Sequence, residues 1–305
     1  MSQRNWTRDE LLLAMNLYCR TPFGKMHKGN REVIDLSAAI GRTPSSVAMK
    51  LVNLASLDPA ERARGIAGLS AASKADRAIW EEFHADWETA ACESELLYRE
   101  RVPPGHVGLT PRRSPTVSSP ISNPQSAIPN LPTDEAIALR SQQPTEAERS
   151  IRVRTAQDFF RRAVLASYRS TCCITGIALP ELLIASHILP WSSSPASREA
   201  SASRRALAPG VSEAAAQPPR SHRVDPRNGL CLSRLHDAAF DRGLITFDAD
   251  LRLILSRELR DHVTNNVLSA SFGNYAGQPL TLPEKFLPAR ESLAWHREEV
   301  FRGEV

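Results

Sequence analysis

The chain has 305 residues, 42% of them hydrophobic, which suffices for sizeable cores in one to three domains. Its formal net charge of +4 agrees with a polyanionic partner without requiring one. Its five cysteines are scattered along the chain, which excludes a disulfide framework. The chain opens without a charged-then-apolar leader, and no apolar run approaches a membrane span. We therefore expect a reduced, cytoplasmic protein without membrane contact.

Residues 1–98 are predicted to be helical. Thr7 can cap a first helix, because acidic residues and then apolar residues at helical spacing follow it. A second apolar run ends at Gly41, and the pair Thr43 and Pro44 suits the cap and first position of another helix. Two helices joined by a tight glycine turn indicate a helix-turn-helix-like unit.

The helix after this turn is the candidate for DNA recognition. Its outward-facing polar residues and the arginine before it are expected to contact bases or phosphates: Arg42, Ser45, Ser46 and Lys50. The alternative interpretation is a plain helical bundle used for dimerisation.

Residues 99–145 are rich in proline and serine and poor in large apolar side chains, which predicts a flexible linker. A second ordered domain is then expected over residues 146–305. It begins with a helix from Glu146 to Tyr168 that carries several arginines, among them Arg161. These arginines are either solvated and ion-paired or follow a phosphate backbone.

The second domain contains the residues that indicate chemistry. An apolar strand, Leu182 to Ala185, leads to His187, and Asn228 opens a second apolar run after a long polar stretch over residues 192–222. A helix with two carboxylates four residues apart follows. Hydrolysis of a phosphodiester with one divalent metal needs an imidazole to accept a proton from water, a group that holds it, and ligands for the ion.

The segments A-S-H-I-L-P-W, N-G-L-C-L and H-D-A-A-F-D-R-G resemble the HNH endonucleases, and more narrowly a restriction-type bacterial branch. The resemblance implies an α+β fold, in which a ββα-metal nuclease domain follows an all-α helix-turn-helix-like domain. It also implies that His187 is the general base, that Asn228 steadies the loop and the imidazole, and that His236 belongs to the catalytic set.

The same resemblance leaves two registers for the metal-binding helix, with either His236 or Asp237 directed at the ion. Asp237 and Asp241 share a helix face, and such hard oxygen ligands favour Mg²⁺ or Mn²⁺. A histidine ligand would widen the choice to Ni²⁺ or Zn²⁺. Ser186 departs from the family, where Asp or His often precedes the base as a metal ligand. No structural zinc is expected, because the cysteines lack paired knuckle spacing.

These patterns predict a metal-dependent endonuclease that hydrolyses double-stranded DNA in bacterial restriction or defence. A DNA-binding regulator with an inactive nuclease domain is the alternative, and Ser186 is the feature that favours it. A small-molecule metal hydrolase is a third class, which the helix-turn-helix-like region argues against. Whether the chain forms a homodimer is left open.

Overall fold

The computed structural model of the chain describes residues 4–65, 72–102, 146–190 and 223–303. Its first part is built from helices alone: α1 (Arg8–Arg20), α2 (Arg31–Ala39), α3 (Pro44–Ala55), α4 (Pro59–Ala63), α5 (Lys74–Ala85) and α6 (Trp87–Arg101). The start predicted for the linker is corrected, because residues 99–101 still belong to α6. The rest of that linker and the polar stretch over residues 192–222 lie outside the described ranges.

Local sequence signals start and end these helices. Thr7 forms a capping box with Glu10 at the start of α1. The Thr43 hydroxyl accepts from the N–H of Ser46, with Pro44 at the first position of α3. The helices therefore lie where the sequence predicts them, and their helix-turn-helix-like role stays a prediction. No helix in the described ranges is long and apolar enough to cross a membrane.

The second part mixes helices with two small sheets, in the order α7 (Glu146–Ser167), β1 (Leu183–His187), β2 (Gly229–Ser233), α8 (Arg234–Asp241), β3 (Ile245–Phe247), β4 (Leu253–Leu255), α9 (Arg257–His262), α10 (Asn266–Ser271) and α11 (Arg290–Glu299). β1 and β2 are antiparallel, with Leu183 opposite Ser233 and His187 opposite Gly229. β3 and β4 form a second antiparallel hairpin. Because α8 directly follows β2, the predicted strand–strand–helix order is present.

Helix α7 packs against both parts of the chain. It contacts α1 and α6 on one side and β1 and β2 on the other. The Phe159 ring lies 6.4 Å from the rings of Phe83 and Trp87 in the first part, while its neighbour Phe160 stacks on His187. The buried apolar residues of both parts form one cluster. This shared core differs from the predicted pair of separately packed domains. It forms because two adjacent phenylalanines of α7 pack in different directions, one against the first part and the other against the first hairpin.

A buried lysine makes a second connection between the two parts. Lys285 is fully buried, and its ammonium donates to the carbonyls of Tyr18, Cys19 and Thr21 at the end of α1. A cation at a helix C-terminus satisfies carbonyls that the helix leaves without partners. Burial lowers the pKa of Lys285 to about 8. The segment before α11 is therefore attached to α1 by direct hydrogen bonds.

Gly243 ends the helix that carries the candidate metal ligands. It has a φ of +68°, and its N–H donates to the carbonyl of Phe240 at 2.9 Å. A Cβ atom at this position would overlap the carbonyl of Val300, and the Gly243 carbonyl accepts from the N–H of Arg302 at 2.9 Å. The turn after α8 therefore requires glycine for both its backbone conformation and its space.

We expect Gly243→Ala to lower the free energy of unfolding more than the same substitution at a glycine with open space around it. Gly277 is the matched control, because it has a φ of +72° with no atom near its missing Cβ. Gly277→Ala should lower the free energy of unfolding by about 1 kcal/mol, the cost of a left-handed alanine. Gly243→Ala should add the overlap with Val300, for a total of about 3 kcal/mol. Urea unfolding measures both, and equal losses would contradict the close approach.

Candidate active site

His187 lies at the end of β1, where Phe160 and the carbonyl of Arg223 contact it. Its ring stacks on Phe160 of α7, with the ring centroids 3.9 Å apart and the planes at 11°. Its Nε2 atom lies 2.9 Å from the carbonyl of Arg223. Because a carbonyl only accepts, the neutral ring carries its proton on Nε2, which leaves Nδ1 as the basic nitrogen. Burial lowers the pKa of His187, against the opposing effect of the Arg223 carbonyl, and so favours the neutral ring that a general base requires.

Asn228 fixes the chain directly after His187. Its side-chain oxygen accepts from the N–H of Leu189 at 2.8 Å, and its amide nitrogen donates to the carbonyl of the same residue at 3.2 Å. Its own carbonyl accepts from the N–H of Ile188 at 2.9 Å. The asparagine is buried, so these bonds lie away from competing water. The two halves of the motif are thus joined where the imidazole leaves the strand.

Asp237 and Asp241 lie one turn apart on α8. Burial raises the pKa of both carboxyls, and the charge of Asp237 raises the pKa of Asp241 further. Ser186 and Arg234 oppose the shift at Asp237, and Arg242 opposes it at Asp241. A shared cation would stabilise two carboxylates that repel each other and are partly removed from water. The pair therefore has the electrostatic character of a cation site.

Ser186 lies beside this carboxylate pair. It is buried, and the interaction of its hydroxyl with the carboxyl of Asp237 opposes the rise that burial causes in the pKa of that carboxyl. Successive strand residues face opposite sides of a sheet, so Ser186 faces α8 while His187 faces α7. The hydroxyl is therefore a further oxygen near the carboxylate of Asp237.

His236 occupies a different place from the one expected for a catalytic or metal-binding residue. Its Nδ1 lies 2.8 Å from the hydroxyl of Ser233, its Nε2 lies 2.8 Å from the carbonyl of Ser271, and its ring contacts Phe272. Both ring nitrogens are thus engaged in the protein interior. This corrects the expectation, because the register that turns Asp237 toward Ser186 necessarily turns its neighbour into the core.

The residues present suit a hard divalent cation. Two carboxylates and a hydroxyl are oxygen ligands of the kind that Mg²⁺ and Mn²⁺ prefer. Within the described ranges, no group of three or more His, Cys, Asp or Glu side chains could hold a metal ion alone. Water and substrate oxygens would therefore complete the coordination, which is the usual manner of magnesium sites.

Two of the predicted DNA-binding residues are directed inward. Lys50 was expected to be exposed, but it is buried in an ion pair with Asp76 of α5. Arg42 pairs with Glu10 of α1 at 2.8 Å, and its side chain is 10% exposed. This corrects the outward orientation predicted for Lys50, and it turns the flanking Arg42 toward α1, because each cation is neutralised by an acid from a neighbouring helix.

The remaining predicted DNA-binding residues lie at two separate places. Ser45 is exposed and Ser46 is half-buried on α3. Arg161 belongs to α7, where it donates to the carbonyl of Leu183 at 3.0 Å at the start of β1. The structure thus places Arg161 with the strand–strand–helix unit and away from the serines of α3.

Residues 172–248 match the family model described as HNH endonuclease. The matched segment contains both strands of the first hairpin and all of α8, with His187, Asn228, Asp237 and Asp241. No curated protein is significantly similar to the chain. The match supports a nuclease domain that acts on DNA, and HNH nucleases generally use a divalent metal ion. The matched segment covers less than half of the chain and does not include the helical first part.

The contacts of His187 with Phe160 and with the carbonyl of Arg223 were not predicted from the sequence. Phe160 is adjacent to Phe159, which packs against Phe83 and Trp87. Two neighbouring phenylalanines on one helix cannot share a face, so the pair itself was a signal for a second packing partner. The carbonyl of Arg223 carries no such signal, because any residue can supply a carbonyl.

We expect Phe160→Leu to raise the pKa of His187 toward the ordinary value for histidine. Burial is the main cause of the lowered pKa, and leucine cannot cover the imidazole as a flat ring does. Phe159→Leu is the matched control, because Phe159 packs against Phe83 and Trp87 instead. NMR titration of the metal-free protein measures the imidazole pKa. The same shift in both variants would show that stacking on Phe160 is not its source.

Proposed function

We propose that the chain is a metal-dependent endonuclease that hydrolyses phosphodiester bonds in double-stranded DNA. The observation that carries the proposal is the arrangement around β1. His187 is held by α7 on one side, while Ser186 interacts with the carboxyl of Asp237 of α8 on the other. A base and a cation site at the end of one strand are what a one-metal phosphodiesterase requires.

In this proposal, His187 accepts a proton from the attacking water at Nδ1. Phe160 and the carbonyl of Arg223 fix the ring, and Asn228 fixes the chain that follows it. A divalent ion held by Asp237 and Asp241 would supply positive charge to the phosphate as its negative charge grows. Release of the 3′ oxygen gives 5′-phosphate and 3′-hydroxyl ends.

We further propose a cytoplasmic restriction or defence role. This rests on the resemblance of A-S-H-I-L-P-W and the later motif segments to the restriction-type branch. The five cysteines all lie in the described ranges and are free thiols, which agrees with a reducing compartment. The competing proposal is a DNA-binding regulator with an inactive nuclease domain. Ser186 favours it, since a serine is a weaker metal ligand than a carboxylate or imidazole.

We expect the purified chain to nick and linearise plasmid DNA with Mg²⁺ or Mn²⁺, and a chelator to stop the reaction. His187→Ala should lower the cleavage rate by at least about 100-fold, the usual contribution of a general base. DNA binding should persist, because the variant removes no anion-binding group. Wild-type cleavage by this variant would contradict the assignment of the base. Binding without any cleavage by the wild-type chain would favour the inactive regulator.

We expect Asp237→Asn and Asp241→Asn to raise the metal concentration needed for half-maximal cleavage by at least about tenfold, since each loses an anionic ligand but keeps its size. Excess metal should partly restore the rate. Asp261→Asn, on the exposed face of α9, is the control and should leave the requirement unchanged. An unchanged requirement in both α8 variants would contradict the assignment of the ligands.

A further inference from the structure

Two arginines from different helices hold the turn that leads into β1. Arg161 of α7 donates to the carbonyls of Leu183 at 3.0 Å and Pro180 at 3.5 Å. Arg234, the first residue of α8, donates from Nε to the carbonyl of Glu181 at 3.4 Å. The two guanidinium groups therefore attach to almost successive carbonyls. They approach one short segment of backbone from the α7 side and the α8 side of the hairpin.

Each of these two arginines is oriented by backbone carbonyls. In the part of the chain that the structure describes, neither makes an ion pair with a carboxylate. Their neighbour Arg162 behaves differently, because it pairs with Glu95 at 2.6 Å. A carbonyl orients a guanidinium but does not neutralise it, and most of the N–H donors of the group remain for another acceptor. Oriented, unneutralised arginines are well suited to bind phosphate oxygens.

Their positions flank the candidate active site. Arg234 is close enough to Asp237 to lower the pKa of that carboxyl. Arg161 directly follows Phe160, on which His187 stacks, and its charge opposes the rise that burial causes in the pKa of the Cys231 thiol in β2. One arginine thus belongs to the side of the hairpin with the base, and the other to the side with the carboxylates.

We propose that Arg161 and Arg234 form a phosphate clamp that holds the DNA backbone across the end of the first hairpin. The clamp rests on the proposed nuclease function and adds the residues that orient the substrate strand. Each guanidinium binds a backbone phosphate on its side of the hairpin. The scissile phosphate is thereby placed between His187 and the carboxylates of α8. The shared turn fixes the spacing of the two arginines before DNA arrives, which reduces the ordering cost of binding.

The salt dependence of DNA binding tests the clamp. All variants are made in the full chain with His187→Ala, which prevents cleavage, and fluorescence anisotropy measures binding to a labelled DNA duplex over a range of KCl concentrations. Arg161→Gln and Arg234→Gln should each reduce the slope of log affinity against log salt by about 1, and the double variant should reduce it by about 2. The reason is that binding releases about one counterion fewer for each phosphate contact that is lost.

Arg252→Gln is the matched control. Arg252 also donates to a carbonyl, that of Gly277 at 3.0 Å, and it is exposed beside the second hairpin. Its loss should leave the slope unchanged. Because Arg161 is half-buried, Arg161→Lys accompanies the glutamine variant, keeps the charge and should keep the slope. A slope that changes equally in the control, or that falls in the lysine variant as it does in the glutamine variant, would overturn the clamp.

The outcomes separate the clamp from the nuclease itself. Unchanged slopes in Arg161→Gln and Arg234→Gln, while the wild-type chain still cleaves DNA, would show that the arginines only brace the turn and would overturn the clamp alone. Absence of both cleavage and salt-dependent binding in the parent chain would overturn the proposed function together with the clamp. The expected result is cleavage by the wild type, a steep salt dependence in the parent, and a stepwise loss of that dependence in the clamp variants.

Discussion

The close packing of α7 against the first hairpin is the contact on which the rest of the structure depends. Gly229 makes it possible, because a Cβ atom there would overlap Val164 and lie 3.0 Å from the Phe160 ring. The absent side chain lets the strand approach the helix until Phe160 covers His187. The other side of α7 is buried against α1 and α6. A single helix therefore supports His187, the proposed general base, and joins it to the helical part of the chain.

This arrangement divides the proposed chemistry between the two sides of one strand. Because side chains alternate along β1, His187 faces α7 and Ser186 faces α8. Apolar packing covers the imidazole and favours its neutral form. The two carboxylates instead have polar and charged neighbours, and the charge of Asp237 acts on Asp241. Asn228 closes the hairpin between them through Leu189. A base and a cation site with opposite electrostatic needs can thus lie at the end of the same short hairpin.

The cations predicted to bind DNA in the helical part differ from the two clamp arginines in whether an acid neutralises them. In the helical part, Arg42 and Lys50 are paired with acids and turned into the structure. Near the first hairpin, Arg161 and Arg234 bind carbonyls and retain their charge. Paired cations stabilise the contact between helices, whereas oriented and unpaired ones attract a polyanion. The proposed contact with the DNA backbone therefore lies at the hairpin. Of the four residues predicted to recognise DNA in the helical part, only Ser45 and Ser46 are not paired with an acid.

The sequence by itself determined the features that depend on near neighbours in the chain. The caps at Thr7 and Thr43, the two strands of the motif and the helix with its paired carboxylates follow from local spacing, and each is present. Tertiary structure alone decided which side chains point where. His236 bonds to a carbonyl 35 residues away, and Lys50 pairs with an acid 26 residues away. Such partners leave no trace in the local pattern, because they meet only when separate helices pack. For the same physical reason, the sequence predicted two domains where one shared core forms around α7.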